Sequence, residues 1–323
     1  MQAIRVYRFG EPEVMQLEEL PVPEPGPGQV RVRIHAAGVN PVDTYIRSGA
    51  YSRLPELPYT PGHDGAGIVD AVGEGVEKVS PGDRVYVAGS LTGTYAEYAL
   101  CLVDQVFPLP EHVSFAQGAG LGIPYGTAYR ALFQKGHLKP GERVLIHGAS
   151  GAVGLACLQW ARAWGAHVLG TAGTGEGLEL VRAWGAEAVF LHRDPGYEEQ
   201  ILQWTGGRGV DLIVEMLANV NLERDLRLLA RRGRLVIVGS RGRIEFSPRE
   251  IMRAEAVVTG FVLFDTPAEE RRQIHEAIGA GLRTRLLDPV VRLTLPLAEA
   301  PCAHRLVLEP GARGKIVLVP ESI

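Results

Sequence analysis

The sequence predicts an α/β protein in two parts, a β-rich part with many turns and a doubly wound parallel sheet, and three observations predict it. Strand-like segments broken by proline and glycine fill residues 1 to about 110. Arg143 to Thr174, RVLIHGASGAVGLACLQWARAWGAHVLGTAGT, reads as strand, glycine turn, helix and second strand within about 30 residues. After Gly170, helix-like and strand-like segments alternate, which means a parallel sheet covered by helices on both faces.

Composition fits that frame. A chain of 323 residues supports one very large domain or two ordinary ones. With 46% hydrophobic and 22% charged residues and a net charge of -4, it has the balance of a globular protein and lacks the basic excess of a nucleic-acid binder. Cys101, Cys157 and Cys302 are odd in number and far apart, so they form neither a disulfide framework nor a paired metal motif, and a reducing cytoplasm is expected. The charged start MQAIRVYRFGEPE is unlike a signal peptide, and no apolar run reaches the ~18 residues of a membrane span. Arginine outnumbers lysine 29 to 4, and asparagine stands only at positions 40, 219 and 221, a bias that fits either a high-temperature lifestyle or a GC-rich genome.

In chain order, strands are expected at Ala3–Phe9, Gln29–Ala36, Gly67–Val72, Arg84–Val87 and Tyr95–Leu102, with the Pro/Gly run 21–28 as punctuation. A short helix starts at Asn40, a capping residue followed by Pro41 at the first helical position and closed by Gly49. A helical pattern over Phe115–Lys135 leads through Lys139-Pro140-Gly141-Glu142 into the strand Val144–Ile146. That strand enters Gly148-Ala149-Ser150-Gly151-Ala152-Val153-Gly154. There Gly151 lets the backbone approach a pyrophosphate, and Gly154 lets the following helix pack close to the sheet. Ser150, Gly151, Ala152 and Val153 are therefore cofactor-binding candidates. Beyond the second strand, His167–Gly170, helices are expected at Leu178–Trp184, Tyr197–Thr205 and Leu222–Ala230. Strands are expected at Ala188–Leu191, Val210–Glu215 and Arg234–Gly239. Arg231-Arg232-Gly233-Arg234 reads as a helix end with a glycine cap. Ala254–Phe264 is a further β-rich run, Pro267–Gly281 a helix, and Val290–Leu295 and Lys315–Val319 are strands around one more helix, expected to return to the first part.

These segments carry a resemblance. Gly38–Gly49 (GVNPVDTYIRSG), Pro61–Gly67 (PGHDGAG), Gly82-Asp83-Arg84-Val85, Gly93–Tyr98 (GTYAEY), HGASGAVG and Arg313–Leu318 (RGKIVL) together resemble the medium-chain dehydrogenase/reductase superfamily, and within it the zinc-independent NADPH:quinone reductases. The likeness runs over essentially the whole chain. It implies a GroES-like catalytic domain over 1–118 and 267–323, a Rossmann cofactor domain over 119–266, and an active site in the cleft between them. It also implies that Asn40, Asp43, Tyr45 and Tyr51 line the substrate side, with a tyrosine hydroxyl or ordered water donating to the developing oxyanion. Each has a structural alternative: Asn40 as helix cap, Asp43 as first-turn partner of the helix dipole, the tyrosines as half-buried packing. Thr127, in Tyr125-Gly126-Thr127-Ala128, matches the position near the nicotinamide ribose. Gly239 and Ser240 end a sheet strand on the cofactor side.

Metal and cofactor follow from residue types. Catalytic zinc needs about three protein ligands and a structural zinc about four clustered cysteines. In the zinc-dependent relatives a cysteine stands where this chain has Asn40 and another near Ala119, and only His63-Asp64 survives, so no metal is expected and His63 reads as a turn or core histidine. Past the second strand, an NAD site offers Asp or Glu to the ribose; this chain has Thr171-Ala172-Gly173-Thr174, which favours NADPH, with Gly173 and Thr174 as donors. The family's supporting lysine aligns with Gly177 and its tyrosine with His192, leaving His192 and Arg193 as the nearest cations for the 2′-phosphate, or else as a solvated loop.

Without zinc to polarise a carbonyl, hydride is expected to pass to an acceptor already electrophilic, a quinone or an activated enone. A 2-alkenal double-bond reductase remains open, as does a non-catalytic NADPH-binding protein of the lens-crystallin or RNA-binding kind, although the charge speaks against RNA. A homodimer is expected through the apolar edge strand within 254–264, where Val257, Val258, Phe261, Val262 and Phe264 would otherwise invite aggregation.

Overall fold

A computed structural model describes residues 1–321. The chain opens with β1 (Gln2–Val6), β2 (Met15–Glu19) and β3 (Gln29–Val39), the last alternating buried Val30, Val32 and Ile34 with outward Arg31 and Arg33 before its final residues sink entirely into the core. Next come α1 (Pro41–Ser48), β4 (Asp64–Val72), β5 (Arg84–Ala88), β6 (Tyr98–Leu102), β7 (Val106–Pro108) and α2 (Phe115–Gly118). α3 (Gly122–Tyr129) runs on as a π-helical stretch, Arg130–Lys135. The alternating part follows: β8 (Arg143–Ile146), α4 (Ala152–Ala163), β9 (His167–Ala172), α5 (Gly175–Ala183), β10 (Ala188–Leu191), α6 (Tyr197–Trp204), β11 (Val210–Glu215), α7 (Ala218–Leu228), β12 (Leu229–Ile237), α8 (Pro248–Ala254) and β13 (Val257–Gly260). α9 (Ala268–Arg283), β14 (Val291–Pro296), α10 (Ala300–Leu306) and β15 (Lys315–Val319) complete it.

The chain divides into two compact units, one of Met1–Ile123, Gly279–Glu309 and Gly314 onward, the other of Pro124–Ile278 and Pro310–Arg313. The first holds a mostly antiparallel sheet in the order β14-β15-β3-β4-β5-β7, with β6 also on β3. β15 pairs antiparallel with β3, setting Ile316 opposite Val39 and Val317 opposite Gly38. Gly38 is required there, because a Cβ would run into the Ala119 carbonyl. The second unit holds a parallel six-stranded sheet in the order β10-β9-β8-β11-β12-β13, so strand order reverses between β8 and β11, the crevice where open α/β sheets bind their ligands. Its core joins Leu145, Leu169, Ile213 and Leu235 from the strands to Ile201, Leu222 and Leu226 from the helices.

Several elements differ from expectation. β2 and β7 escape the sequence pattern because both are short, and β2 lies largely exposed. The helical run 115–135 is interrupted after Gly118, where α2 stops. Arg231–Arg234 is not a capped helix end: α7 stops at Leu228 and these residues lie within β12, with Arg232, not the glycine, in the left-handed region at φ 63°. The run 254–264 yields only a four-residue strand, because Ala254 closes α8 and Leu263–Asp265 forms a 3-10 turn. The expected limits at 118/119 and 266/267 fall short of the crossings at 123/124 and 278/279. Most of α9 packs within the second unit, where Ile274 lies against Gly126.

Candidate active and cofactor sites

In the first unit, the sharp exit from β3 into α1 places Asn40 and Asp43 beside the start of β4. Asn40 precedes α1 in extended conformation, but its side chain makes no cap bond; the cap runs the other way, with the Asn40 N–H donating to Asp43 Oδ2 at 2.9 Å. The freed Asn40 amide donates from Nδ2 to Asp64 Oδ2 at 3.0 Å, and its Oδ1 accepts from Lys315 Nζ at 2.5 Å. Lys315 Nζ also reaches Asp64 Oδ2 at 3.1 Å, and the Ile123 N–H donates to Asp64 Oδ1 at 2.8 Å. Burial pushes the Asp64 carboxyl up, against the pull of Lys315. Gly122 keeps this pocket open to the backbone, since a Cβ there would stand 2.5 Å from Asp64 Oδ1.

Asp43 is fully buried and serves a second set of partners. Its Oδ1 stands 3.0 Å from His63 Nδ1, and its Oδ2 accepts from the Tyr95 hydroxyl at 3.3 Å, which in turn lies 3.2 Å from His304 Nε2. Burial raises the Asp43 carboxyl, but the His63 hydrogen bond and charge outweigh it and hold the group below the usual carboxylate range. His63 is not a sealed core histidine: its side chain is 30% exposed while its Nδ1 is held by a buried carboxylate. Tyr45, two positions after Asp43 on α1, and Tyr51, past the Gly49 turn, are half-buried. The sequence points to Tyr95 and Lys315 only as members of GTYAEY and RGKIVL, with no role of their own, and does not point to His304 at all.

The polar groups around Asn40 are committed to one another. Both Asn40 Oδ1 and Asp64 Oδ2 are bound to the Lys315 ammonium, so a protein-borne cation already answers the carboxylate.

In the second unit the glycine turn has the form its residues predict. Gly148 sits at φ 58°, and a Cβ on Gly154 would lie 2.5 Å from Ala149 Cα, so α4 comes as close to the sheet as it does only with glycine there. A Cβ on Gly151 would meet nothing nearer than 3.4 Å, leaving room in front of the helix N-terminus. Ser150 is buried, while Ala152 and Val153 are half-buried in the first turn of α4. Past β9, the Thr174 hydroxyl oxygen accepts from the Gly177 N–H at 3.1 Å and caps α5. His192 and Arg193 fold over Gly173, whose Cβ would stand 3.1 Å from His192 Nε2 and 3.7 Å from Arg193 Nε. Gly177 itself is tight: a Cβ would lie 3.0 Å from Ala172 Cβ and 3.2 Å from Ser150 Oγ. A lysine at 177 would press on the turn, and the nearest cationic side chain over Gly173 is that of Arg193. Partial burial, with the charges of His147 and Arg193, lowers the His192 pKa, leaving Arg193 as the permanent charge. Thr127 is buried on α3, and Gly239 lies just beyond β12, where a Cβ would stand 2.5 Å from the Met216 carbonyl. Ser240 is exposed.

Beneath the turn lies a group the sequence reading missed. His147, the residue before Gly148, places Nε2 at 2.8 Å from Asp225 Oδ1 and 3.6 Å from Glu215 Oε2, with Nδ1 at 3.2 Å from Thr171 Oγ1. Thr171 Oγ1 also accepts from the Gly148 N–H at 3.2 Å. Glu215 binds the Leu217 N–H and the Asn221 side chain. The group therefore ties together the ends of β8, β9 and β11 and the flank of α7. The signal was available: an ionisable residue inside VLIHGAS and another inside LIVEML.

Comparison with known proteins adds a family to this geometry. A family model described as an alcohol dehydrogenase GroES-like domain matches residues 26–111, and one described as a zinc-binding dehydrogenase matches 152–279. The human quinone oxidoreductase is 50% identical over 99% of this chain and 98% of its own length. The structure of Escherichia coli quinone oxidoreductase complexed with NADPH superposes with a TM-score of 0.90 at 32% identity, covering 99% of this chain and 100% of that one. A structure described as an NAD-dependent alcohol dehydrogenase superposes with a TM-score of 0.92 at 32% identity over 99% of both chains. With a GroES-like domain ahead of a Rossmann sheet and full-length likeness of this degree, the chain belongs to the quinone oxidoreductases of the medium-chain dehydrogenase/reductase superfamily.

Proposed function

We propose that this enzyme reduces quinones with NADPH and uses no catalytic metal. The observation that carries the metal-free part is the Lys315 ammonium bound to Asn40 and Asp64, which commits the donors a zinc would take. Bound NADPH supplies the hydride. The chain's part is to hold and to balance charge: Ser150, Gly151, Ala152 and Val153 offer the pyrophosphate the open N-terminal turn of α4. Gly173, Thr174, His192 and Arg193 take the 2′-phosphate, while Thr127, Gly239 and Ser240 stand on the nicotinamide side. Asn40 and Asp43, both buried, act by fixing α1 and the groups around it, and Tyr45 and Tyr51 offer hydroxyls to the acceptor. NADPH oxidation against a panel of quinones, enones and aldehydes, with and without a chelator, tests this reading. Quinone turnover indifferent to chelator is expected; turnover confined to 2-alkenals, or lost on chelation, would overturn it.

We infer a homodimer through 254–264, a reading supported by β13, which pairs with β12, and by the exposure of Val257 in it (56%) and of Val262 just past it (47%). Sedimentation at micromolar concentration should give twice the chain mass, and Val257→Lys should give one chain. A cytoplasmic setting is inferred from three free cysteines, and no helix among the described residues is long and apolar enough to cross a membrane.

A further inference from the structure

We propose that the loop Pro310–Arg313 is a wall of the cofactor site and that Arg313 is a second cation for the 2′-phosphate of NADPH, beside Arg193. This rests on the cofactor reading above and adds a residue to it. The need is one of charge. A phosphate monoester carries about −1.5 to −2 at pH 7. It is to bind where the first turn of α5 already presents the carboxylate of Glu176. Burial and the neighbouring charges lower the His192 pKa and leave that ring neutral, so Arg193 alone offers a permanent charge from the 192–193 loop.

Glu309-Pro310-Gly311-Ala312-Arg313-Gly314 lies between α10 and β15, and its proline and two glycines suit it to a tight connection. The residues on either side pack with the first unit, while Pro310–Arg313 packs with the second. Two contacts fix where it lies there. Gly311, at φ 82°, comes so close that a Cβ on it would stand 3.0 Å from Thr174 Cγ2. Ala312 is met from the other side: a Cβ on Gly151 would stand 3.8 Å from Ala312 Cβ. Thr174 immediately precedes α5, and Gly151 immediately precedes α4. The loop therefore runs along both helix N-termini, from the pyrophosphate position to the 2′-phosphate position. Gly311 and Ala312 are also the two smallest residues, so the loop comes close without filling the space in front of them. Arg313 follows, with its side chain exposed, and its charge reaches the first turn of α5. There the Glu176 carboxylate accepts from its own backbone N–H and from the Thr174 hydroxyl. Those bonds, with the charge of Arg313, hold it below the usual carboxylate range. A guanidinium on that side of Thr174 offers an incoming phosphate a fork of N–H donors and offsets Glu176.

The test is the equilibrium binding of NADPH and of NADH, followed by nicotinamide fluorescence, with Arg313→Ala made both in the wild type and in a Glu176→Gln background. In the wild type, Arg313→Ala should weaken NADPH about tenfold, the scale of one charge-assisted hydrogen bond, and move NADH by less than about twofold. The second background separates contact from screening. The tenfold loss should persist in the Glu176→Gln protein, because the phosphate that Arg313 meets is still present. A loss that disappears there would reduce Arg313 to a neutraliser of Glu176 and overturn the assignment. A loss shared equally by NADH, or one smaller than about twofold, would overturn it as well. All three outcomes leave the cofactor reading standing. A wild type that binds NADPH no better than NADH would overturn that reading, and this proposal with it.

Discussion

His63 and His147 both meet buried carboxylates, and they sit in opposite environments. His63 holds one carboxylate and keeps 30% of its side chain exposed. His147 faces two, Asp225 and Glu215, with 4% of its side chain exposed and both carboxylate side chains wholly buried. The first lies partly open to solvent; the second is sealed and works as a clamp on the strand ends beneath the glycine turn. A histidine–carboxylate pair is therefore not in itself a sign of catalysis. What separates the two pairs is burial, and with it how much an uncompensated charge would cost.

Removing a carboxylate from the sealed group should have the largest effect. Asp225→Ala leaves the His147 imidazolium beside Glu215 alone, and a broken buried pair costs about 3–5 kcal/mol. Urea unfolding is expected to show that loss, with weaker NADPH binding because Gly148 loses its support. His63→Gln should unfold within about 1 kcal/mol of wild type, as expected where a partly exposed pair is lost. Equal costs at the two sites would erase the distinction drawn here.

The alkaline side gives a smaller, graded effect. Burial lowers the His147 pKa, but the charges of Asp225 and Glu215 carry it up to about 9. Its stabilisation is complete below the unfolded value of about 6.5 and disappears as pH rises through about 9. Burial also raises the Glu215 pKa, so its ionisation, too, disfavours the folded state as pH rises. The melting temperature should fall between roughly pH 7 and 9.5, and a His147→Asn variant should flatten that slope. An unchanged slope in that variant would place the pH dependence elsewhere.

The smallest effect is expected at the cofactor edge. Arg193→Ala should weaken NADPH binding about tenfold and leave NADH binding unchanged, the scale of one lost charge-assisted hydrogen bond. Equal weakening of both cofactors would move the 2′-phosphate contact to another residue.

The sequence carried the second unit well because its signals are local. The period of β8, α4 and β9 and the glycines between them are contiguous, and Gly154 has its steric reason within the same turn. The first unit was legible as strands and one capped helix, but not as a network. Asn40 looked like a cap and instead spends its side chain on Asp64 and Lys315, because Asp43 supplies the cap from within the helix. Lys315, His304 and Tyr95 could not be joined to Asn40 and Asp43 from spacing, since the sheet order that brings β15 onto β3 depends on long-range pairing. Arg231–Arg234 misled for a related reason: Arg234 is drawn into β12 by Glu142 and by the carbonyls of Gly136 and His137, partners nearly a hundred residues away.

The pairing of β15 with β3 also fixes an order of events during synthesis. Asp64 is made early, yet the ammonium that balances it comes 251 residues later, after nearly the whole second unit. At ribosomal rates of roughly 5–20 residues per second, the carboxylate waits about 12–50 s for its cation. Through that interval β3 lacks its partner β15, and the sheet cannot extend to β14, while the second unit is free to fold. Nascent chains stalled shortly before residue 315 should therefore be the species that chaperones hold, one unit finished and the other still open.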